Sequence, residues 1–184
     1  TTKEGIDVQW NNLLTDQAYE PGSTMKVLAL AAAINEGVFD PNEKYKSGSV
    51  KIYTDLVRDY NKVGWGNITY LEGLAHSSNV AFVYIIQKIG IEKWKQYLEA
   101  FGFGKSTNSG FANEISGSNP FNSYLQQLST GFGQGITVTP YQMMQAFTAI
   151  ANGGQMQKLR LVDHLTDPDT GKETPNPTTA LGKV

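Results

Sequence analysis

Two almost continuous apolar segments dominate the hydrophobic pattern of the chain, and both predict helices. Every residue of Val27–Ile34 is apolar, and this run lies within a helix predicted from Ser23 to Glu36, with Gly37 just after its end. The segment "NVAFVYIIQKIG" predicts a second helix, which Gly90 closes. Apolar runs of this kind are typical of helices that are buried in a core.

Three further helices are predicted from amphipathic spacing and from end signals. The segment "IEKWKQYLEAFGFG" places its apolar side chains on one stripe and ends at Gly102. Asn67 is predicted to cap a short helix that runs from Ile68 to about His76. The clearest end signals belong to "TPYQMMQAFTAIANGG", in which Thr139 and Pro140 occupy the N-cap and the first helical position.

Strands are predicted only as short pieces. Alternation in "SVKIYTD" (residues 49–55) and in "KLRLVDHL" (residues 158–165) predicts two strands, and "TDPDTGKE" predicts a turn. Residues 104–120, rich in Gly, Ser, Asn and Thr, are interpreted as a long surface loop. The last segment, "TPNPTTALGKV", is expected to be an unfinished connection. The predicted fold class is therefore mainly α with a few short strands.

Composition excludes several classes of function. The chain has 184 residues, of which 40% are hydrophobic and 17% charged, as in ordinary folded domains. Its net charge of −2 and scattered basic residues offer no surface for nucleic acid or for an anionic membrane. It contains no cysteine, and its two histidines, His76 and His164, are far apart, so the sequence offers few ligands for a metal site. No stretch approaches the ~18 apolar residues of a membrane span, so a membrane anchor is expected only outside this sequence.

The start of the first helix carries a candidate nucleophile and a candidate base. Ser23 and Lys26 are three positions apart, so their side chains lie one turn apart on one face, close enough to share a proton. The helix N-terminus favours developing negative charge, and burial among apolar residues would lower the pKa of the lysine. The alternative is that Ser23 or Thr24 only caps the helix and Lys26 extends to solvent. Alone, S-x-x-K occurs by chance roughly once in a chain of this size.

A second polar motif, Ser77-Ser78-Asn79, lies at the predicted junction of two apolar helices. Hydroxyl and amide groups at such a junction need partners if they are buried. The Ser77 hydroxyl could relay a proton to a leaving group, and the Asn79 amide could hold the lysine or a substrate peptide. Another S-x-N, at residues 106–108, falls in the polar loop, where a turn explains it.

Three blocks in order, "EPGSTMK", "HSSNVAF" and "FGQGITVTPYQMMQAFTAIANGG", resemble the penicillin-binding transpeptidases, specifically class B enzymes of the penicillin-binding protein 2x type. The resemblance covers most of the chain and includes "TKEGI" near its start. It implies the α/β fold of the serine transpeptidases and β-lactamases. Within that fold, residues 1–184 would be a partial transpeptidase domain, mainly its helical subdomain, with most of the central sheet missing.

The resemblance also implies roles for four residues. Ser23 would be the nucleophile, acylated by a D-alanyl-D-alanine stem peptide or by a β-lactam, and Lys26 would take its proton. Ser77 would pass a proton to the leaving group, and Asn79 would orient Lys26 and the substrate amide. The implied partners are peptidoglycan stem peptides, β-lactam antibiotics and the cell-wall or division machinery. The implied location is the extracytoplasmic face of the bacterial cell membrane, and the chemistry needs no metal or cofactor.

The sequence departs from this family in one respect. The third family signature, Lys-Ser/Thr-Gly, should follow Asn79, and no lysine after Asn79 begins one. Lys46-Ser47-Gly48 has these letters but precedes Ser77 in a turn-rich segment, so it is not a candidate. Truncation at both ends is the expected explanation. The chain alone is expected to be a poor acylating agent, because part of the oxyanion hole would be missing.

Other interpretations stay open at the level of sequence. A serine β-lactamase would need a carboxylate that activates water, and no Glu motif indicates one. A β-lactam sensor would acylate and signal, and a scaffold would have no catalysis. The segment "RDYNKVGW" (Arg58–Trp65) could line a substrate groove or form a packed surface ribbon, and His76 is better explained as a structural histidine than as a base.

Overall fold

The structure, a computed structural model, describes residues 12–184, so the segment "TKEGI" lies outside the described residues. The chain divides into two compact units. The helical unit comprises residues 19–99 and 118–137. The mixed unit comprises the described residues up to 18 together with residues 100–117 and 138–184.

Within residues 12–184, six α-helices and eight short strands form the regular structure. The helices are α1 Met25–Asn35, α2 Tyr70–Ala75, α3 Asn79–Ile89, α4 Ile91–Ala100, α5 Tyr124–Ser129 and α6 Pro140–Ala151. The strands are β1 Lys44–Lys46, β2 Ser49–Ile52, β3 Asp55–Arg58, β4 Asn67–Thr69, β5 Gln155–Gln157, β6 His164–Thr166, β7 Glu173–Pro175 and β8 Ala180–Lys183. They form antiparallel pairs, β1 with β4, β2 with β3, β5 with β8 and β6 with β7. The predicted fold class, mainly α with a few short strands, is confirmed.

The core of the helical unit forms where α1 packs against α3. The two apolar segments of the sequence meet here, and Leu28, Phe82 and Ile86 are completely buried. Each such side chain contributes about 1.5–3 kcal/mol when it leaves water. Trp94 of α4 is also fully buried, and its Nε1 donates a hydrogen bond to Thr130 Oγ1 at 2.8 Å. The predicted helices at residues 23–36, 79–89 and 91–101 are thus confirmed to within about two residues.

The start of α2 differs from the prediction. Asn67 does not cap a helix but begins β4, which pairs with β1. The cap is Thr69, whose hydroxyl accepts a hydrogen bond from Glu72 N–H at 3.1 Å, while Glu72 Oε2 accepts one from Thr69 N–H at 2.7 Å. This reciprocal capping box satisfies two helix-terminal donors and sets the helix start two residues later than Asn67 would.

The mixed unit contains the helix with the clearest end signals, and that prediction is confirmed. Thr139 is the N-cap of α6, Pro140 is its first residue, and Gln142 completes a second capping box. The Gln142 side chain also donates to the carbonyl oxygens of Lys105 and Ser116 at 2.8 and 2.9 Å, so it ties the long polar loop to the helix. No helix among the described residues combines the length and the apolar character needed to cross a membrane.

Two predictions for the last thirty or so residues of the sequence, one of a strand and one of a connection, are wrong. Residues 158–165 are not one strand, because β5 ends at Gln157 and β6 begins only at His164. The segment "TPNPTTALGKV" is not an unfinished connection, since β8 within it pairs with β5. Strand limits here follow the pairing partner, which local alternation does not reveal. The turn at "TDPDTGKE" is confirmed, since it joins the β6–β7 hairpin.

Candidate active site

Ser23 lies in the three-residue 3₁₀ helix Gly22–Thr24 that leads into α1, and its side chain is exposed. Neither Ser23 nor Thr24 caps the helix through its side chain. The Thr24 hydroxyl instead donates to Pro21 O at 2.7 Å. The capping alternative is therefore wrong, and the Ser23 hydroxyl is not engaged by its own helix.

Lys26 points inward and does not extend to solvent. The residue is 3% exposed, and its Nζ lies 5.5 Å from the centre of the Phe82 ring. Nζ donates to Ser77 O at 2.6 Å, to Ser77 Oγ at 3.0 Å and to Asn79 Oδ1 at 2.8 Å. These contacts replace the hydration that a buried ammonium group loses.

The turn between α2 and α3 presents Ser77 to this lysine. Ser77 has φ +53°, in the left-handed region that residues with a Cβ rarely adopt. The next residue, Ser78, caps α3 by accepting a hydrogen bond from Ala81 N–H at 3.0 Å. The Oγ of Ser77 also reaches Ser23, to whose Oγ it donates at 3.0 Å. The structure thus brings all four residues singled out from the sequence, Ser23, Lys26, Ser77 and Asn79, into one hydrogen-bonded group.

The hydrogen-bond partners of Lys26 determine the direction in which the lone pair of Nζ would point if the amine were neutral. Ser77 O and Asn79 Oδ1 can only accept hydrogen bonds, whereas the Ser77 hydroxyl can also donate. A neutral amine has two hydrogens, which these two acceptors would take. Its lone pair would then face Ser77 Oγ, and the hydroxyl hydrogens could point from Ser23 to Ser77 and from Ser77 to Lys26. The geometry can therefore carry a proton from Ser23 to Lys26 through Ser77.

Burial brings the lysine close to the range in which it can act as a base. Desolvation lowers the pKa of Lys26 from 10.5 to about 8, and the negative charge of Asp59 opposes this shift. With a pKa near 8, on the order of a tenth of the amine is neutral at pH 7. An exposed lysine with an ordinary pKa would be almost wholly protonated.

The "FGQG" segment supports the turn that carries Ser23, a contact that sequence reasoning missed. Gly22 N–H donates to Gly133 O at 3.0 Å, and Gly135 N–H donates to Glu20 Oε1 at 2.8 Å. A Cβ on Gly133 would lie 2.1 Å from Gly22 O, so only glycine permits this approach. The two glycines that flank one glutamine are the sequence feature that could have indicated a close backbone contact.

Two of the remaining candidates, His76 and the early Lys-Ser-Gly, have structural explanations. His76 stacks face to face on Trp65, with ring centres 4.3 Å apart, and takes no part in the hydrogen bonds of Ser23 or Lys26. The segment Arg58–Trp65 is partly buried at Asp59 and partly exposed at Tyr60. Ser47 donates to Gly66 O and accepts from Trp65 N–H, so the early Lys-Ser-Gly is a packing element.

The second S-x-N also has a structural role. In the long loop of the mixed unit, the Glu114 carboxylate accepts hydrogen bonds from Ser106, Thr107 and Ser109. Burial raises the pKa of Glu114, but the hydrogen bonds from Thr107 and Ser109 outweigh burial and hold that pKa at about 2. Ser106 Oγ further accepts from Asn108 N–H at 3.0 Å, which confirms the predicted turn. Across residues 12–184, no group of three or more His, Cys, Asp and Glu residues is arranged to hold a metal ion.

The fold, with Ser23 linked to Lys26 through Ser77, is of the kind expected of the penicillin-binding transpeptidase class. The family model of the penicillin binding protein transpeptidase domain matches residues 1–181. The chain belongs to this family, so the resemblance inferred from the sequence blocks is confirmed.

Individual relatives agree with this assignment. The chain is 35% identical over 166 residues to stage V sporulation protein D of Bacillus subtilis, covering 88% of this chain and 26% of that protein. It is 29% identical over 183 residues to peptidoglycan D,D-transpeptidase MrdA of Escherichia coli K12, covering 89% of this chain and 28% of that protein. The chain thus spans about a quarter of the length of the curated relatives it matches.

Solved structures of the family share the fold. Penicillin binding protein 2X from Streptococcus thermophilus is similar with a TM-score of 0.87 and 35% identity, over 95% of this chain and 26% of that chain. Penicillin binding protein 3 from Mycobacterium tuberculosis, in complex with aztreonam, is similar with a TM-score of 0.78 and 30% identity, over 92% of this chain and 38% of that chain. The short-stranded, helix-rich structure of this chain therefore corresponds to part of those larger proteins.

Proposed function

We propose that the chain is the nucleophile-bearing part of a serine D,D-transpeptidase that forms peptidoglycan cross-links. The observation that carries this proposal is the hydrogen-bonded path from Ser23 Oγ through Ser77 Oγ to the buried Lys26 Nζ. Membership of the transpeptidase family and the name of the Escherichia coli relative, a peptidoglycan D,D-transpeptidase, support it.

In the first half-reaction, Ser23 Oγ attacks the carbonyl carbon of the penultimate D-alanine of a stem peptide. The Ser23 proton passes to Ser77 Oγ, and the Ser77 proton passes to Lys26 Nζ. When the amide bond to the terminal D-alanine breaks, Lys26 returns the proton through Ser77 to the departing amine. Asn79 holds Lys26 by its Oδ1 throughout. A β-lactam acylates Ser23 in the same way, except that its nitrogen stays attached to the opened ring.

In the second half-reaction, the acceptor amine of another stem peptide attacks the acyl-serine ester. Lys26 takes a proton from that amine, and Ser23 Oγ leaves and recovers the proton through Ser77. The product is a new amide, which is the cross-link, and the free Ser23 hydroxyl. The partners that follow from this proposal are peptidoglycan stem peptides and β-lactams, and the protein would work within the cell-wall or division machinery. It would act at the extracytoplasmic face of the bacterial cell membrane.

We also propose that residues 1–184 are one part of a transpeptidase domain whose Lys-Ser/Thr-Gly strand is outside this sequence. The length of the relatives supports this, since the chain spans about a quarter of them. The strand lines the cleft in this family and supplies part of the oxyanion stabilisation that acyl transfer needs. The 184-residue chain alone should therefore react slowly with penicillin even with Ser23 and Lys26 in place.

Labelling with a fluorescent penicillin tests the function. The full-length protein that carries this chain should gain the mass of one penicillin, and peptide mapping should place it on Ser23. A Ser23→Ala variant should gain none. Labelling elsewhere, or equal labelling of the variant, would overturn the proposal. Prompt stoichiometric labelling of the isolated 184-residue chain would instead show that the Lys-Ser/Thr-Gly strand is not needed for acylation.

The lifetime of the acyl adduct separates this function from hydrolysis. A β-lactamase needs a carboxylate that activates water beside the ester. Among the described residues, no carboxylate is hydrogen-bonded to Ser23, Lys26, Ser77 or Asn79. The adduct should therefore persist for many minutes in intact-mass measurements, and rapid catalytic turnover of penicillin would favour a β-lactamase.

A further inference from the structure

A buried carboxylate lies behind the Ser77–Asn79 segment, and none of the roles proposed above uses it. Asp59 directly follows β3 and is 1% exposed. An ionised carboxylate so deeply buried is stable only where hydrogen bonds or opposite charge compensate for its lost hydration. Its partners therefore indicate what it holds in place.

Both carboxylate oxygens of Asp59 accept hydrogen bonds. Oδ1 accepts from Ser78 Oγ at 2.8 Å and from Val80 N–H at 3.1 Å, and Oδ2 accepts from Gly48 N–H at 2.7 Å. The main-chain N–H of Asp59 donates to Gly48 O at 2.9 Å. Asp59 thus connects Gly48, in the link between β1 and β2, to Ser78 and Val80 at the start of α3.

The preceding residue adds a contact to the motif itself. Asn79 Nδ2 donates to Arg58 O at 3.2 Å, while its Oδ1 accepts from Lys26. Two successive residues, Arg58 and Asp59, therefore hold the three successive residues 78–80. Ser77 immediately precedes residues 78–80 and has a left-handed backbone conformation. The position of Ser77 therefore depends on how residues 78–80 are held.

We propose that Asp59 is a positioning residue for the acylation of Ser23. Its buried carboxylate fixes the segment that carries Ser77 and Asn79 against Lys26, and its charge influences the protonation of that lysine. This inference rests on the proposed function, and it assigns Asp59 no contact with substrate.

Because Asp59 is charged, its substitution should change the pKa of Lys26, whereas a residue that acts only through packing would leave that pKa unchanged. Burial lowers the pKa of Lys26 to about 8, and Asp59 is the charged group that opposes this shift. The other side chains around Nζ, those of Ser77, Asn79 and Phe82, carry no charge. Removal of the negative charge lowers the pKa of Lys26 further and enlarges the neutral fraction of the amine. Asparagine keeps one acceptor oxygen, but its NH2 group cannot accept a hydrogen bond, so the contacts with Ser78 and Val80 or the contact with Gly48 are lost and the held residues 78–80 shift.

The variant Asp59→Asn and its control Asp55→Asn remove the same charge from neighbouring positions. Asp55 begins β3 and is exposed. In the 184-residue chain, carbon-13 NMR titration of the Lys26 side chain should give a lower pKa in Asp59→Asn than in wild type and an unchanged one in Asp55→Asn. In the full-length protein, the rate constant of penicillin acylation should fall about 10²-fold in Asp59→Asn, because small displacements of reacting groups are costly. The pH at which the acylation rate reaches half of its maximum as Lys26 loses its proton should also be lower in Asp59→Asn.

The outcomes separate the two proposals. If wild type is acylated at Ser23 and Asp59→Asn keeps the wild-type rate, the positioning role is overturned while the transpeptidase proposal stands. If the rate falls but the Lys26 pKa does not change, the inference is overturned, because a purely structural residue gives that result. If wild type is not acylated at all, both proposals fall.

A second variant decides the matter if circular dichroism shows that Asp59→Asn does not fold. Ser78→Ala keeps the Asp59 charge and removes one of its hydrogen bonds, together with the cap that Ser78 provides to α3. A lower acylation rate with an unchanged pH midpoint and wild-type helix content by circular dichroism would support the positioning role. A wild-type rate in this variant would overturn it.

Discussion

Gly133 approaches Gly22 so closely that a methyl group on Gly133 would lie 2.1 Å from the Gly22 carbonyl oxygen and 2.4 Å from its nitrogen. Gly133 also has φ +77°, a conformation that alanine adopts only with strain. We therefore expect Gly133→Ala to lower the free energy of unfolding by about 3 kcal/mol, from backbone strain and steric overlap together.

A matched control exists for Gly133→Ala. Gly66 has φ +78°, and a Cβ there would meet no atom within 4 Å. Gly66→Ala should therefore cost only the backbone strain, about 1 kcal/mol. Urea unfolding of both variants, followed by circular dichroism, measures the difference. Equal losses in the two variants would show that the Gly22 turn yields to the added methyl group.

Two substitutions at Ser77 separate its hydroxyl from its strained backbone. Ser77→Ala removes the hydroxyl and keeps a Cβ at φ +53°, whereas Ser77→Gly removes both. Ser77→Gly should therefore be about 1 kcal/mol more stable to urea than Ser77→Ala. In the full-length protein, both should lose penicillin acylation by about 10²-fold or more, because the proton path from Ser23 is cut. Full activity of Ser77→Gly would contradict a relay through this hydroxyl.

The lowered pKa of Lys26 predicts a pH dependence of stability. In the unfolded chain, lysine keeps its proton up to about pH 10.5, whereas folded Lys26 releases it near pH 8. Between these values the unfolded state binds more protons, so the folded state gains stability as pH rises. Wild type should therefore gain stability relative to Lys26→Met from pH 8 upward. Unfolding free energies of both proteins across this range test it, and a constant difference would mean that Lys26 has an ordinary pKa.

The start of α2 gives a direct test of the corrected helix boundary. Thr69→Ala removes the capping hydroxyl and should cost about 1 kcal/mol of unfolding free energy. Asn67→Ala changes an exposed residue of β4 and should cost only a few tenths. If thermal or urea unfolding ranks the two variants in the opposite order, Asn67 is the cap after all.

The elements that the sequence predicted well are those whose limits depend on nearby residues. Helix α6 begins where Thr139 and Pro140 indicate, and α3 ends before Gly90, because caps and glycine act within one turn. The strands were predicted poorly because their limits depend on distant partners. Gln155–Gln157 forms a strand only by pairing with Ala180–Lys183, which local alternation does not encode.

The residues of the candidate site also differ in how well the sequence predicts them, according to whether they are near to or far from each other along the chain. Ser23 with Lys26, and Ser77 with Asn79, are recognisable because each pair is close in sequence. Their supporting contacts join residues that are far apart, as when Gly135 N–H donates to the Glu20 carboxylate. A buried carboxylate such as Asp59 gives no local pattern, since its partners lie on two other segments. The sequence therefore identifies the candidate reacting groups and not the residues that hold them.

The shortest contact of Lys26 is to a main-chain atom, the carbonyl oxygen of Ser77, at 2.6 Å. A side-chain substitution does not delete a carbonyl oxygen, so a substitution at Ser77 leaves the nearest acceptor of Lys26 in place. Only a change in the backbone conformation at Ser77 would move this carbonyl oxygen away from Lys26. The left-handed turn at Ser77 therefore holds Lys26 through a main-chain atom, in addition to the contact that the serine hydroxyl makes.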